Sequence, residues 1–160
     1  MSFFTKNDII EMAVKMENNG YSYYNSALSR KDLSKEGIKA LTKLRDDEKA
    51  HEQTFLGLRN KIDKLDMGET ISWEDAKMYM QTIVQSHVFD SSEKAIQLAA
   101  QAKNTEDIFK NALQFEKDTL LFFYEMAKYV KGQKAEKAVN AIINEELKHI
   151  RQLRDLTANL

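Results

Sequence analysis

The residues of this chain that could do chemistry form one pattern, and the pattern occurs twice. Each copy has a single glutamate that is followed, 31 or 30 residues later, by a Glu-x-x-His run. The six residues are Glu17, Glu48 and His51 in the first copy, and Glu116, Glu146 and His149 in the second. Residues three apart on an α-helix share a face, so each paired Glu and His can reach one point. Carboxylates and imidazoles that project inward from four helices are a known ligand set for two metal ions in a bundle core.

Four long helices are needed to position these residues, and the composition favours them. The chain has no proline and only five glycines, and its apolar residues recur every three or four positions, which predicts an all-α fold. Thr5 with Asp8 marks the start of the first helix as a capping box. The long helices are expected at about residues 6–30, 35–65, 105–131 and 133–158, with a crossover at about 66–104 that contains shorter helices at roughly 73–87 and 91–102.

The lengths of the connections predict how these helices are arranged. The first two and the last two long helices are joined by short segments, which makes each pair antiparallel neighbours. The long crossover can return along the bundle, so the second and third long helices can run parallel. We therefore expect residues 1–160 to form a single domain, a four-helix bundle of ferritin-like topology with one long, partly helical crossover.

All six residues of the repeated pattern occupy positions of the apolar stripes where Leu or Ile would be expected. A buried, unpaired carboxylate costs several kcal/mol, and four close together repel one another. Two divalent cations would balance four carboxylates, and neutral imidazoles would add ligands without charge. We expect Glu48 and Glu146 to bridge the two ions, Glu17 and Glu116 to bind terminally, and each histidine to bind one ion.

Several neighbouring residues are candidates for supporting roles. Asp47 and Glu145 precede the paired glutamates, and each could accept the second ring N–H of the histidine on the opposing helix, unless it is a solvated surface charge. Tyr24, seven residues after Glu17, could bond a ligand carboxylate or carry an electron, although most aromatic residues here are expected to pack in the core. Gly20 would keep the wall of the site thin or admit another helix. His87 is expected to be a packing or capping residue, with a place near the site as the alternative.

Composition narrows the classes of function. A net charge of -1 provides no field for nucleic acid or anionic membranes. The sequence contains no apolar run of about 20 residues and no secretory signal pattern, so a cytoplasmic protein is expected. Without cysteine, the chain cannot form a thiolate nucleophile, an iron–sulfur cluster or a Cys-ligated iron centre. Electrons for any redox reaction must come from another molecule.

The sequence resembles the rubrerythrin-like branch of the ferritin-like superfamily of di-iron carboxylate proteins. The likeness lies in four segments that together extend over nearly the whole chain: residues 13–17 with Tyr23 and Tyr24, residues 47–52, residues 115–119 with 122–124, and residues 145–149. Rubrerythrins reduce hydrogen peroxide at a di-iron site with electrons from a Cys-ligated rubredoxin domain, and these 160 residues contain no cysteine to form one. They also tend to have a second ligand Glu one turn after the first on the third long helix, where this chain has Thr119.

The resemblance implies a di-iron oxidoreductase that reduces peroxide or dioxygen at a centre of four Glu and two His. Iron is the first choice of metal, with manganese and zinc as alternatives. A separate donor such as a rubredoxin or a reductase would supply electrons, and the family implies a homodimer. An iron-binding or iron-buffering protein of ferritin type without peroxidase turnover is the main alternative. A structural or partner-binding bundle is a third hypothesis.

Overall fold

The computed structural model describes residues 5–59, 61 and 73–160 of the chain. Within these residues the secondary structure is entirely helical. The helices are α1 (Lys6–Ala27), α2 (Lys35–Leu58), α3 (Trp73–Gln85), α4 (Ser92–Gln101), α5 (Thr105–Ala127) and α6 (Gln133–Ala158). The helices α1, α2, α5 and α6 are the four long ones that the sequence predicts.

Local hydrogen bonds explain where the long helices begin and end. Thr5 and Asp8 form the capping box at the start of α1, and Ser34 caps α2 by accepting a bond from the backbone N–H of Gly37. At the end of α1, the N–H of Ser29 bonds the carbonyl of Ser26, so the last turn tightens and the helix stops before residue 30. Lys128 ends α5 in the same way, before residue 131.

The second helix and the crossover differ in extent from the sequence-based expectation. Helix α2 ends at Leu58, where the next residue adopts an extended backbone, and the expected continuation to residue 65 lies largely outside the described residues. Ser72 followed by Asp75 is a capping-box pattern that predicts the start of α3, and Ser72 lies outside the described residues as well. Helix α4 begins one residue later than expected, because the side chain of Ser91 accepts the N–H of Lys94.

Two hydrophobic clusters divide the bundle along its length and show the direction of each helix. One cluster includes Ile10, Phe55, Phe123 and Ile142, and the other includes Tyr24, Leu41, Phe109 and Leu153. Helices α1 and α6 run from the first cluster to the second, whereas α2 and α5 run from the second to the first. Helices α2 and α5 are therefore parallel, as the long crossover predicts for a ferritin-like topology.

The crossover helices cover the outside of this bundle. Helix α4 packs on α1, and α3 packs on α5. The contact with α4 includes hydrogen bonds from Asn18 to the Ser92 hydroxyl and from that hydroxyl to Asn19. No helix among the described residues has the length and apolar character that crossing a bilayer requires.

A buried hydrogen bond across the bundle gives a test of this packing. The hydroxyl of Tyr23 on α1 donates to the carbonyl of Ile108 on α5, at 2.8 Å. Tyr23→Phe should lower the free energy of unfolding by about 1 kcal/mol, because the carbonyl loses one partner in a dry environment. Urea denaturation followed by circular dichroism measures the change. Tyr124→Phe, at a half-exposed tyrosine, should change the stability by less than about 0.5 kcal/mol; equal effects would contradict the proposed contact.

Candidate metal centre

The six residues of the repeated pattern form one polar layer inside the bundle. On each long helix they lie between the residues of the two hydrophobic clusters, for example Glu17 between Met16 and Tyr23 on α1. The four glutamates are completely inaccessible to solvent, and the two histidines are 2% exposed. The layer is thus enclosed above and below by apolar side chains and is shielded from water on all sides.

The ligand-type atoms of these residues fall into two overlapping groups. Glu17, Glu48, His51 and Glu146 form the first group, and Glu48, Glu116, Glu146 and His149 form the second. In each group one atom from every residue lies within 4.8 Å of the corresponding atoms of the others. Glu48 and Glu146 belong to both groups, which is the arrangement that two neighbouring cations with two shared carboxylates would need.

The carboxylates of the layer lack the hydrogen bonds that buried charges normally have. Within the described residues, both oxygens of Glu17 and of Glu48 have no hydrogen-bond partner, and neither do Glu116 Oε2 and Glu146 Oε1. Buried carboxylates without such partners are strongly destabilising unless a cation or a proton compensates them. The oxygen-rich set of donors, with one imidazole in each group, suits divalent iron, manganese or zinc. These residues therefore fit a site that binds two metal ions.

The two histidines direct one ring nitrogen into the layer and the other out of it. His51 Nδ1 lies 3.0 Å from Glu146 Oε1, and His149 Nδ1 lies 2.9 Å from Glu146 Oε2. On the outer side, His51 Nε2 lies 2.6 Å from Glu145, and His149 Nε2 lies 3.0 Å from Asp47. An outer N–H donated to a carboxylate leaves Nδ1 free to bind a metal and fixes the ring orientation.

These outer contacts join helices α2 and α6, and the order of the contacting residues shows that the two helices are antiparallel. His51 is one turn after Asp47 on α2, whereas its partner Glu145 is one turn before His149 on α6. Both acids reach solvent, with side chains that are 49% exposed for Glu145 and 24% for Asp47. Lys43, four residues before Asp47, forms an ion pair with it. Lys43 was not among the residues predicted from the sequence, although a Lys four residues before an Asp on one helix is a signal for such a pair.

Tyr24 contacts one member of the layer directly. Its buried hydroxyl donates to Glu116 Oε1 across the bundle. Burial and the neighbouring Glu116 raise the pKa of Tyr24 well above its ordinary value, so the phenol keeps its proton at neutral pH. Tyr24 can therefore hold the Glu116 carboxyl in place and present a proton beside it.

His87 lies near the layer but makes other contacts. Its Nδ1 donates to the carbonyl of Ile83, 3.1 Å away, which leaves Nε2 as an acceptor for the hydroxyl of Thr119 at 3.4 Å. Its ring packs against that of Phe115. His87 thus has the packing role that its sequence context indicates.

When no metal is bound, protons can compensate the charge of this layer, and the pKa values of its glutamates indicate which of them are protonated. Burial and the neighbouring Glu146 raise the pKa of Glu17 to about 7 and that of Glu116 to about 8. Burial, followed by the charge of Glu17, raises the pKa of Glu48 well above its ordinary value.

For the two imidazoles and Glu146, the paired charges outweigh burial, so the pKa of each shifts in the direction that favours its charged form. Burial alone would lower the pKa of both histidines, but nearby carboxylates, chiefly Glu17 for His51 and Glu116 for His149, raise these pKa values to about 11 and about 12. Burial opposes ionisation of Glu146 as well, yet the two neighbouring imidazoles, His149 and His51, lower its pKa. The metal-free layer at neutral pH therefore has charged imidazoles and an ionised Glu146, whereas Glu48 and Glu116 are mostly protonated and Glu17 is about half protonated.

Fold and site together define the class of protein to which this chain is similar. No protein-family model matches the sequence, and no curated protein matches it either. Among solved structures, the chain is similar to the crystal structure of a protein from Thermotoga maritima that is assigned to the ferritin-like diiron-carboxylate proteins. The TM-score is 0.71 with 19% sequence identity, over 99% of this chain and 97% of that one. At this identity the likeness establishes a ferritin-like fold, while the metal-binding layer stands on the geometry of this chain's own residues.

The proton occupancy of the layer predicts how the stability of the metal-free protein depends on pH. Glu17, Glu116, His51 and His149 all have folded pKa values above their unfolded ones, so the folded form retains protons that the unfolded chain has lost. The melting temperature of the metal-free protein should therefore fall as the pH rises from about 7 to about 9. Calorimetry in the presence of a chelator measures this trend.

The same measurement with bound metal provides the control. Metal ions replace the protons of the layer, and their binding strengthens as pH rises, so the metal-loaded protein should not lose stability over this interval. Glu116→Gln should make the metal-free slope shallower, because it removes one of the shifted groups. A metal-free melting temperature that is constant or increases from pH 7 to pH 9 would contradict the arrangement.

Proposed function

We propose that this chain is a di-iron carboxylate oxidoreductase of rubrerythrin type, which reduces peroxide or dioxygen. The observation that carries the proposal is the pair of overlapping ligand groups that share Glu48 and Glu146, in which several carboxylate oxygens have no hydrogen-bond partner among the described residues. The rubrerythrin-like segments of the sequence support the choice of chemistry, and the mixture of carboxylates and imidazoles supports iron before manganese or zinc.

Iron bound at this layer would supply the one-electron steps that reduce peroxide or dioxygen to water. The protein's own residues would hold two ions side by side: Glu48 and Glu146 between them, Glu17 with His51 on one, and Glu116 with His149 on the other. Glu145 and Asp47 would keep each Nδ1 directed inward through their contacts with Nε2. The apolar clusters on both sides would limit the access of water.

Tyr24 supports this centre, but the electrons for the reaction must come from elsewhere. Its hydroxyl donates to Glu116 Oε1, and its raised pKa keeps the phenol protonated, so Tyr24 would orient this carboxylate in the second ligand group. The chain has no cysteine, so it has no Cys-ligated iron centre of its own as an electron source. We infer that a separate donor, such as a rubredoxin or a reductase, supplies the electrons to a cytoplasmic homodimer.

A ferritin-like iron-binding protein without peroxidase turnover is the second candidate, and one observation favours it. Thr119 occupies the position, one turn after Glu116, where rubrerythrins tend to have a further ligand Glu. Its hydroxyl is fully buried and contacts His87. The resulting set of four Glu and two His is closer to that of bacterioferritin-type ferroxidase centres.

Rapid mixing of the anaerobic, Fe(II)-loaded protein with peroxide or dioxygen tests the first proposal. We expect oxidation of two irons per chain in a single fast phase, and restoration of the Fe(II) state when a reductant is added. Glu48→Ala should slow this oxidation at least about tenfold, because the residue belongs to both ligand groups. Glu36→Ala, at an exposed glutamate on the same helix, is the matched control and should oxidise like the unmodified protein.

The number of irons per chain distinguishes the two candidates. Two irons that cycle repeatedly between oxidation states with peroxide would support the oxidoreductase. Many irons per chain, in a large particle that forms under dioxygen, would support storage or buffering. Equal oxidation rates for the Glu48→Ala variant and the unmodified protein would remove the assigned centre from both proposals.

A further inference from the structure

Gly20 leaves a space in the wall of the metal centre, and the carboxylate of Glu48 fills it. A Cβ atom at position 20 would overlap Glu48 Oε2. It would also lie 2.7 Å from Cε1 and 2.9 Å from Cζ of the Phe115 ring. Any side chain here must therefore displace both the Glu48 carboxylate and the Phe115 ring.

The glycine is costly for its helix, so its presence needs a local reason. Gly20 lies within α1, which continues to Ala27, and glycine is among the least favourable residues in a helix interior. Its backbone φ is not positive, since Gly132 is the only positive-φ glycine among the described residues. The close approach of Glu48 and Phe115 is then the remaining explanation.

The second copy of the pattern does not have this space. Gly20 follows Glu17 by three residues, and Thr119 follows Glu116 by three. Thr119 fills its position with a side chain that contacts His87. The two shared carboxylates therefore have different surroundings, although the repeat makes them equivalent in sequence.

Glu146 and Glu48 also differ in how close they lie to the imidazoles. Glu146 lies close to both imidazoles, at 3.0 Å from His51 and 2.9 Å from His149. Glu48 Oε1 lies 3.8 Å from His149 Nδ1, and neither oxygen of Glu48 has a hydrogen-bond partner in the part of the chain that the structure describes. The open volume at Gly20 is thus what accommodates the Glu48 carboxylate.

We propose that Gly20 is a positioning residue of the metal centre, which reserves the space that Glu48 needs to serve both ligand groups. This inference rests on the proposed function, because it concerns the binding of the same two ions. A methyl group at position 20 forces Glu48 away from the place where the two groups overlap. Metal binding then weakens although all six ligand residues are still present.

Titration of the metal-free protein with Co(II) tests the proposal without measuring turnover. The visible absorption of Co(II) reports the geometry of its ligands. The unmodified protein should bind two Co(II) per chain, whereas Gly20→Ala should bind them about 10–100-fold more weakly, with a changed spectrum. Gly57→Ala is the matched control, since a Cβ at position 57 has no neighbour within 4 Å, and it should bind Co(II) like the unmodified protein.

A double variant separates the two contacts of position 20 and guards against a folding defect. Phe115→Leu removes the ring that a Cβ would meet, so Gly20→Ala combined with Phe115→Leu should recover stability in thermal unfolding. Its Co(II) affinity should remain low, because the Glu48 carboxylate is still displaced. Phe115→Leu alone serves as the reference for both measurements.

The outcomes distinguish this inference from the proposed function. If the unmodified protein fails to bind two Co(II), the di-metal centre itself is wrong, and this inference with it. If the unmodified protein binds two and Gly20→Ala binds them equally well with the same spectrum, Gly20 has no positioning role. Recovery of Co(II) affinity in the double variant, to the level of Phe115→Leu alone, would show that the space serves the ring and not Glu48, and would overturn the proposal.

Discussion

The structure depends on cations that compensate the negative charge of four carboxylates, which its helices place in a layer without access to water. All four are fully buried, and their mutual repulsion in a medium of low dielectric constant is large. Protons compensate this charge in the metal-free protein, and two divalent cations would do so in the loaded one. Metal binding is therefore an exchange of cations for protons, and the affinity of the layer for metal must increase as protons become scarcer.

The two hydrophobic clusters determine that this layer lies inside the bundle. Each long helix contributes to both clusters, so apolar packing above and below holds the four helices at a fixed separation. The ligands then need no flexible loop to meet, because rigid helices carry all of them. Stability and site geometry consequently have the same origin, and the destabilisation of the buried acids is tolerated because the clusters on both sides stabilise the bundle.

Much of this arrangement could be predicted from the sequence, because it follows from helical periodicity. Charged residues in apolar stripes, such as Glu17 and Glu116, can only point into the core, and a Glu-x-x-His run such as Glu48 to His51 presents both groups on one face. The end of α1 and the start of α4 were less predictable, since single hydrogen bonds at Ser26 and Ser91 decide them. Contacts between helices, such as that from Tyr24 to Glu116, depend on rotation and register, which no single-helix pattern encodes.

The repeat explains the ligand set, and its departures from symmetry explain why the two halves of the layer differ. Tyr24 follows Glu17 by seven residues, and the corresponding residue after Glu116 is Phe123, which has no hydroxyl. Glu116 consequently has a hydrogen-bond donor from α1, whereas both oxygens of Glu17 have no hydrogen-bond partner in the described part of the chain. The residue three positions after the single glutamate also differs between the copies: it is Gly20 in the first and Thr119 in the second. A symmetric set of ligands with asymmetric neighbours would give two bound ions unequal surroundings, because one half has the hydrogen bond from Tyr24 and the other has the free volume that Glu48 occupies.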